Sequence, residues 1–213
     1  MATPNDESPE RALERQAARE REVEHRVKNT LQLISSLVLL QGRRTKDEAA
    51  RQALRAIQQR VAAVSVAHRH VSWESGSEQV QLAPLIREIV GDLAGSAGRE
   101  GVHIDLDLEP VAVAGRQGAP LALLVSEMVG NALRHAFPQG RDGRIHVSLH
   151  RTPEGLELAV ADDGVGMAEQ GEGFGLTVVQ LMTQQVRGQL ETRQTQPGVR
   201  LAVRAPVDGE AAG

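Results

Sequence analysis

Val23-Glu-His-Arg-Val-Lys-Asn-Thr-Leu-Gln-Leu-Ile-Ser-Ser-Leu-Val-Leu-Leu-Gln-Gly42 is the stretch around which the rest of the chain is organised. Val23, Val27, Ile34 and Leu37, with Thr30 between them, step by four and three, the spacing of one buried stripe on a helix. With Val23 at heptad position d and Val27 at a, His25 falls at f, farthest from the seam, and Asn29, Gln32 and Ser36 extend a polar stripe along that side. His25 is therefore expected in solvent. By residue type alone a lone histidine is more often a surface or satisfied core residue than a reactive one, so its neighbours must carry any other reading.

Upstream, residues 9–24 are mostly charged, with Leu13 and several alanines, which predicts a solvated helix running into the quoted one. Downstream, Gly42 followed by Arg43, Arg44, Thr45, Lys46 and Asp47 predicts a helix stop and restart, with Thr45 or Asp47 near the new N-cap. Ala50, Leu54, Ile57, Val61, Val64, His68 and Val71 then keep the four-three spacing, so a second helix pairs antiparallel with the first. One hairpin cannot enclose its own core; two copies make a four-helix bundle. His68 falls on the seam in a structural role, and His70 lies off its face, a poor arrangement for a metal.

Residues 72–80, broken by Gly76 and serines, read as a linker. The pattern of Leu82, Leu85, Ile86, Ile89, Val90 and Leu93 is helical again, with Pro84 tolerable in a first turn. Val102, Ile104, Leu106 and Leu108 alternate with polar residues as a one-sided strand, and 145–149, 156–160 and 199–203 repeat the alternation. Helical segments near 118–136 and 175–187 lie between. The expected fold class is α plus α/β: a helical hairpin dimerising into a four-helix bundle, then an α+β sandwich with a mixed sheet and helices on one face. The expected divisions are a disordered N-terminus (1–8), the hairpin (9–71), the linker (72–80), a second domain (81–207) and a disordered tail (208–213).

His25-Arg-Val-Lys-Asn-Thr-Leu-Gln32, followed by Ser36-Leu37 and Leu40-Gln41, resembles the phosphoacceptor motif of a bacterial sensor histidine kinase branch that carries His-Arg-x-Lys-Asn-x-Leu-Gln. The resemblance implies that His25 is the phosphorylated residue. A neutral imidazole nitrogen is a competent nucleophile near neutral pH, and an exposed ring is open to large partners. Lys28, one turn along, is placed to screen phosphate charge. Many histidine kinases put a carboxylate directly after the histidine. Here Arg26 follows and Glu24 precedes, so the pattern does not assign the base.

In Ser126-Glu-Met-Val-Gly-Asn-Ala-Leu-Arg-His-Ala-Phe137, Glu127, Asn131 and His135 are four apart on one helix face, where polar groups need partners. The segment resembles the N box of the ATPase fold shared by histidine kinases, gyrase and the mismatch-repair ATPases. That resemblance implies Asn131 as the Mg2+ ligand, an oxygen donor suited to a hard ion. It implies Arg134, where lysine is frequent, and His135 on the nucleotide side. Glu127 resembles the general base of the hydrolytic relatives and in a kinase would orient the metal or a proton. Ala161-Asp-Asp-Gly-Val-Gly-Met167 resembles the G1 box, which makes Asp162 the adenine-binding carboxylate and sets Gly164 and Gly166 at the lid entrance; Asp163 stands where asparagine is common. Gly171-Glu-Gly-Phe-Gly-Leu176 resembles the G2 box, with Gly173, Phe174, Gly175 and Leu176 at a helix start that meets phosphate. Each box alone is weak. Three in order, on the expected helix, strand end and helix start, are not.

Composition narrows the rest. Trp73, Phe137 and Phe174 are the only aromatics, so the cores are aliphatic and base stacking is disfavoured. A net charge of −4 gives no general attraction to nucleic acid or to anionic membrane. No cysteine is present, hence no disulfide framework. The first residues lack the blocks of a signal peptide, and no apolar run approaches the roughly 20 residues of a membrane span, so a soluble cytoplasmic protein is expected. The expected function is a histidine kinase using ATP and Mg2+, a homodimer, with a response-regulator receiver domain as partner and a separate sensor protein as a candidate. A phosphotransfer or scaffold protein without ATP-driven activity is the alternative. A serine kinase of the anti-sigma type would lack the histidine hairpin.

Overall fold

The computed structural model describes residues 9–74, 77–166 and 174–208. The N-terminal eight residues, almost all of the expected C-terminal tail, and Gly173 lie outside the described residues. The chain divides into two units, one up to Gln58 and the other from Gln59 on.

The first unit is built from α1 (Pro9–Arg44) and the opening turns of α2 (Glu48–Arg69). Gly42 does not stop α1, which runs to Arg44. The stop comes at Thr45, whose N–H and Oγ1 both donate to the Gln41 carbonyl, at 3.0 and 2.8 Å. Asp47 restarts the chain: its Oδ1 accepts the Ala50 N–H at 2.7 Å, the bond of an N-cap. Of the two candidates, Thr45 closes one helix and Asp47 opens the next. Leu33, Ile34, Leu37, Leu39, Leu40 and Ile57 are all exposed in the single chain.

In the second unit the last turns of α2 bury Ala63, Val66 and Ala67. That face differs from the expected seam: His68 is exposed, and Val71 leaves the helix for a strand. The reason is that these turns pack into the second unit's core, not along the hairpin's own repeat. There follow β1 (Val71–Glu74), β2 (Ser77–Gln81), α3 (Leu82–Ala97), β3 (Val102–Leu108), β4 (Ala112–Ala114), α4 (Gly115–Asn131), β5 (Gly143–Thr152), β6 (Gly155–Asp162), α5 (Phe174–Gln185), β7 (Gln189–Gln194) and β8 (Val199–Ala205).

Residues 72–80, read as a linker, instead supply β1 and β2, which join β4 in a small antiparallel sheet ordered β1-β2-β4. Val80 and Val113 pair across it and both are buried, so β2 contributes to the core. The larger sheet runs β3-β5-β6-β8-β7; β3 and β5 are parallel and the other pairs antiparallel, the mixed sheet expected. Its inner residues, among them Ile145, Val147, Leu158 and Val203, share one core with Leu85 and Ile89 of α3, Leu124 and Met128 of α4 and Val179 of α5. The other face carries charge, with Glu157 held by Arg200 at 2.5 Å and Arg204 at 2.7 Å. Gln117 of α4, itself buried, donates to the Pro206 carbonyl at 2.8 Å and accepts the Asp208 N–H at 2.9 Å, fastening the chain end after β8.

Candidate functional site

α4 ends at Asn131 and the chain goes on as a π-helical turn, Ala132–Ala136. Such turns insert extra backbone into a helix and are frequent at functional sites. The four-residue spacing thus holds from Glu127 to Asn131 but is wound differently before His135. Glu127 is buried at 3% exposure, Asn131 is half-buried and His135 is exposed. Among the described residues no hydrogen bond joins His135 to the other two. Desolvation, and secondarily the Arg134 cation, hold the His135 imidazole below the usual histidine pKa.

A carboxylate as buried as Glu127 must be paired. Its partner is Arg60, from the late turns of α2: Nε donates to Oε1 at 2.7 Å and Nη2 to Oε2 at 3.1 Å, a two-point bond. The same guanidinium lies over the Phe174 ring, 4.8 Å from its centroid. Phe174 opens α5 and is 70% exposed, and Leu176, two residues on, is half-buried. Between them, Gly175 sits against the N-box side chains: a Cβ there would stand 2.8 Å from Asn131 Oδ1 and 2.9 Å from Glu127 Oε2. Only glycine allows α5 so close. Arg134 closes the cluster, donating to Asn131 Oδ1 at 3.0 Å and to Gln59 Oε1 at 3.1 Å. Desolvation depresses the Arg134 pKa, with Glu127 pulling it up and Arg60 pressing it down.

Asp162 ends β6, half-buried. Its Oδ1 accepts the Gly164 N–H at 3.0 Å. Burial raises its pKa above the ordinary aspartate value, against the lowering effect of the Gly164 and Val199 amides, and the neighbouring Asp163 raises it further. Asp163 is structurally occupied, its Oδ1 accepting the Arg144 N–H at 2.7 Å. The turn after β6 is locked to the π turn: Val165 N–H donates to the Ala136 carbonyl at 3.0 Å, and a Cβ on Gly164 would stand 2.3 Å from that same oxygen. Gly166 has φ +83°, a left-handed conformation natural for glycine. Gly198, φ +100°, presses on the Asp162 backbone, where a Cβ would fall 1.8 Å from the carbonyl oxygen.

The structure thus brings Glu127, Asn131, Arg134 and Gly175 together, and ties the turn that follows Asp162 to the π turn through the Val165 N–H. The His25 backbone lies in α1, and its side chain, like that of Lys28, is outside the described residues. Sequence reasoning missed Arg60, Gln59 and Gly198. The one available signal was the demand that a buried Glu127 find a cation. The residues present fit a nucleotide: a half-buried carboxylate acceptor at Asp162, and at the other end amide and carboxylate oxygens beside a glycine backbone. Among the described residues no group of three or more His, Cys, Asp or Glu is poised for a metal. A hard cation beside Asn131 would therefore draw other ligands from phosphate oxygens or water, as Mg2+ does.

Residues 22–97 match the family described as "Histidine kinase", and residues 117–209 match "Histidine kinase-, DNA gyrase B-, and HSP90-like ATPase". The chain belongs to the histidine kinases. The sensor histidine kinase PdtaS of Mycobacterium tuberculosis is 31% identical over 207 residues, 93% of this chain and 41% of that protein. Blue-light-activated histidine kinase 2 of Erythrobacter litoralis is 27% identical over 213 residues, 94% of this chain and 60% of that protein. This histidine kinase chain spans from 41% to 60% of the length of these relatives. The solved histidine kinase domain of the blue-light-activated kinase of Erythrobacter litoralis EL346 shares its fold, with a TM-score of 0.67 at 19% identity over 83% of this chain and 96% of that one. The second family match makes residues 117–209 an ATP-binding domain and takes in Glu127, Asn131, Arg134 and Gly175, while Gln59 and Arg60 fall within the first match. Among the described residues no helix of this histidine kinase is long and apolar enough to cross a membrane.

Proposed function

We propose that this chain is a protein histidine kinase that phosphorylates His25 from Mg2+-bound ATP and passes the phosphoryl group to an aspartate of a response-regulator receiver domain. What supports it most is the meeting of three segments far apart in sequence: Glu127 and Asn131, the glycine start of α5 at Gly175, and the Asp162 turn fastened to Ala136.

In this reading Asp162 accepts a hydrogen bond from the adenine amine. Asn131 would hold Mg2+ through its amide oxygen, and the ion would supply positive charge against the phosphates. Arg134 and Gly175 face the phosphates, with Phe174 and Leu176 fixing the start of α5, and Gly173, outside the described residues, is assigned to the same group by the G2-box resemblance alone. Gly164 and Gly166 shape the adenine end, and His135 borders it. A ring nitrogen of His25 takes the γ-phosphoryl group as the bond to the bridging oxygen breaks and ADP leaves. The first unit, up to Gln58, forms the dimerising hairpin, and the second, from Gln59 on, is the catalytic domain, which takes in the last turns of α2 and the strands at 71–81 that the expected boundaries left out. The exposed Leu33, Leu37 and Leu40 belong in a homodimer, where a second hairpin covers them. The captured phosphoryl group has no evident use within these elements, so a receiver docks near His25. A separate sensor protein would supply the input.

Incubation of the chain with γ-labelled ATP and Mg2+ tests this. The label should be acid-labile, be absent from His25→Gln, and move to a receiver domain on mixing. ATP binding without labelling would favour the phosphotransfer or scaffold alternative, and an acid-stable label would point to a serine kinase.

A further inference from the structure

We infer that Arg60 is a positioning residue of the nucleotide site, holding the Glu127 carboxylate against Asn131 and Gly175 and tying it to the first residue of α5 through Phe174. The inference rests on the reading that this site takes ATP.

Glu127 is 3% exposed, and Arg60 bonds both of its oxygens. Such a carboxylate is oriented by whatever cation holds it, and here the orientation has a consequence. A Cβ on Gly175 would stand 2.9 Å from Oε2 and 2.8 Å from the Asn131 amide oxygen, so the carboxylate and the amide both crowd the same glycine. A shift of the carboxylate by even an ångström changes the wall that phosphate and metal would meet. Arg60 is suited to the task because a planar fork fixes a carboxylate in two places, which an ammonium cannot do. Its remaining face is spent on Phe174, directly after the glycine-rich segment, so one guanidinium joins α2, α4 and α5. With Arg134 beside it, the cluster keeps one positive charge in excess over Glu127, a local field that favours an anionic phosphate. A purely structural ion pair would fasten α2 onto α4 and do nothing else.

The test is equilibrium titration of the full chain with ATP and with a non-hydrolysable ATP analogue, both with Mg2+, at a temperature where circular dichroism shows each variant folded. Arg60→Ala should weaken binding by about tenfold or more. Arg60→Lys, which keeps the charge and loses the fork, should fall between it and the unaltered chain. Arg60→Ala combined with Glu127→Gln should bind no more weakly than the worse single variant, because the two act as one unit. Arg69→Ala, also on α2 and paired with Glu88, is the control and should keep full affinity whatever its melting temperature. Where Arg60→Ala does not fold, Arg60→Lys carries the test. Binding by the Arg60 variants within twofold of the unaltered chain, or additive losses in the double variant, would overturn the inference alone. An unaltered chain that binds no ATP would overturn the reading of the site, and the inference with it.

Discussion

The two units treat their apolar residues in opposite ways. Leu33 and Leu37 of α1 are 60% and 57% exposed, although they lie on a helix whose spacing is that of a buried stripe, whereas Leu124 and Ile145 of the second unit are fully enclosed. A helix presents its stripe regardless of whether a partner is present; a sheet with three helices on one side supplies its own cover. The first unit thus leaves its apolar stripe exposed, where the proposed homodimer would cover it, and the second encloses its own core. The candidate chemistry is divided along the same line, with the acceptor His25 on the first and the nucleotide cluster on the second.

The sharpest way to break that division is at His25. His25→Gln should reduce phosphorylation to background, since no other group would take the phosphoryl, yet leave ATP affinity within about twofold because nucleotide recognition lies with other residues. Asn131→Ala should abolish labelling as well, with its loss traceable to metal-dependent binding. Loss of ATP affinity in His25→Gln would show that the two functions are not separable.

Next in size is the contrast in packing. Leu124→Ala opens a cavity in the shared core and should cost about 2–5 kcal/mol by urea denaturation, independent of protein concentration. Leu37→Ala should change little in a monomer but lower dimer affinity, so its effect should depend on concentration in light scattering and denaturation alike. A concentration-independent loss at Leu37 would mean that its stripe is not covered by a second chain.

How much of this was legible in sequence follows from the kind of signal each feature leaves. The hairpin and the mixed sheet follow from short-range spacing, because helix and strand periods repeat within a few residues, whereas Asn131, Asp162 and Gly175 are picked out by the resemblance of their segments to the N, G1 and G2 boxes. The β1–β2 hairpin follows from neither: its Gly and Ser read as linker, and the burial of Val80 is settled by Val113, far along the chain. Arg60 was missed for the same reason, since its bond to Glu127 spans 67 positions. The π turn was invisible because its residues are ordinary helix formers, and it is held by the turn after β6 that bonds Ala136. His68 was assigned to a seam because the heptad count runs smoothly past the point where the second unit captures α2.

A subtler probe of the site is Gly175→Ala. The added methyl would meet Asn131 and the fixed Glu127 carboxylate at under 3 Å, and α5 would have to back away. ATP affinity should fall by about tenfold, with a smaller change in stability because the methyl points at side chains on one surface of α4. Unchanged affinity would indicate that α5 and the N box do not share a ligand.

The smallest expected effect separates fold from function at a single carboxylate. Burial raises the pKa of Asp162 more than the Gly164 and Val199 amides lower it, and Asp163 adds to the rise. The folded chain therefore holds the Asp162 proton more tightly than the unfolded chain does. By linkage, the contribution of this group to stability is greatest when it is protonated and declines as pH rises from the ordinary carboxylate value through the raised one. At neutral pH Asp162 is a charge that the fold carries at a cost. Asp162→Asn removes the charge and keeps an oxygen that can accept the Gly164 N–H, so it should be at least as stable as the unaltered chain at pH 7, with the advantage vanishing near pH 4. An amide oxygen is a weaker acceptor than a carboxylate, so ATP affinity should fall in the same variant. Urea denaturation at the two pH values, beside a nucleotide titration, reads both effects. An advantage that grows on acidification would exclude burial as the cause, and a variant with undiminished ATP affinity would remove Asp162 from the adenine end of the site.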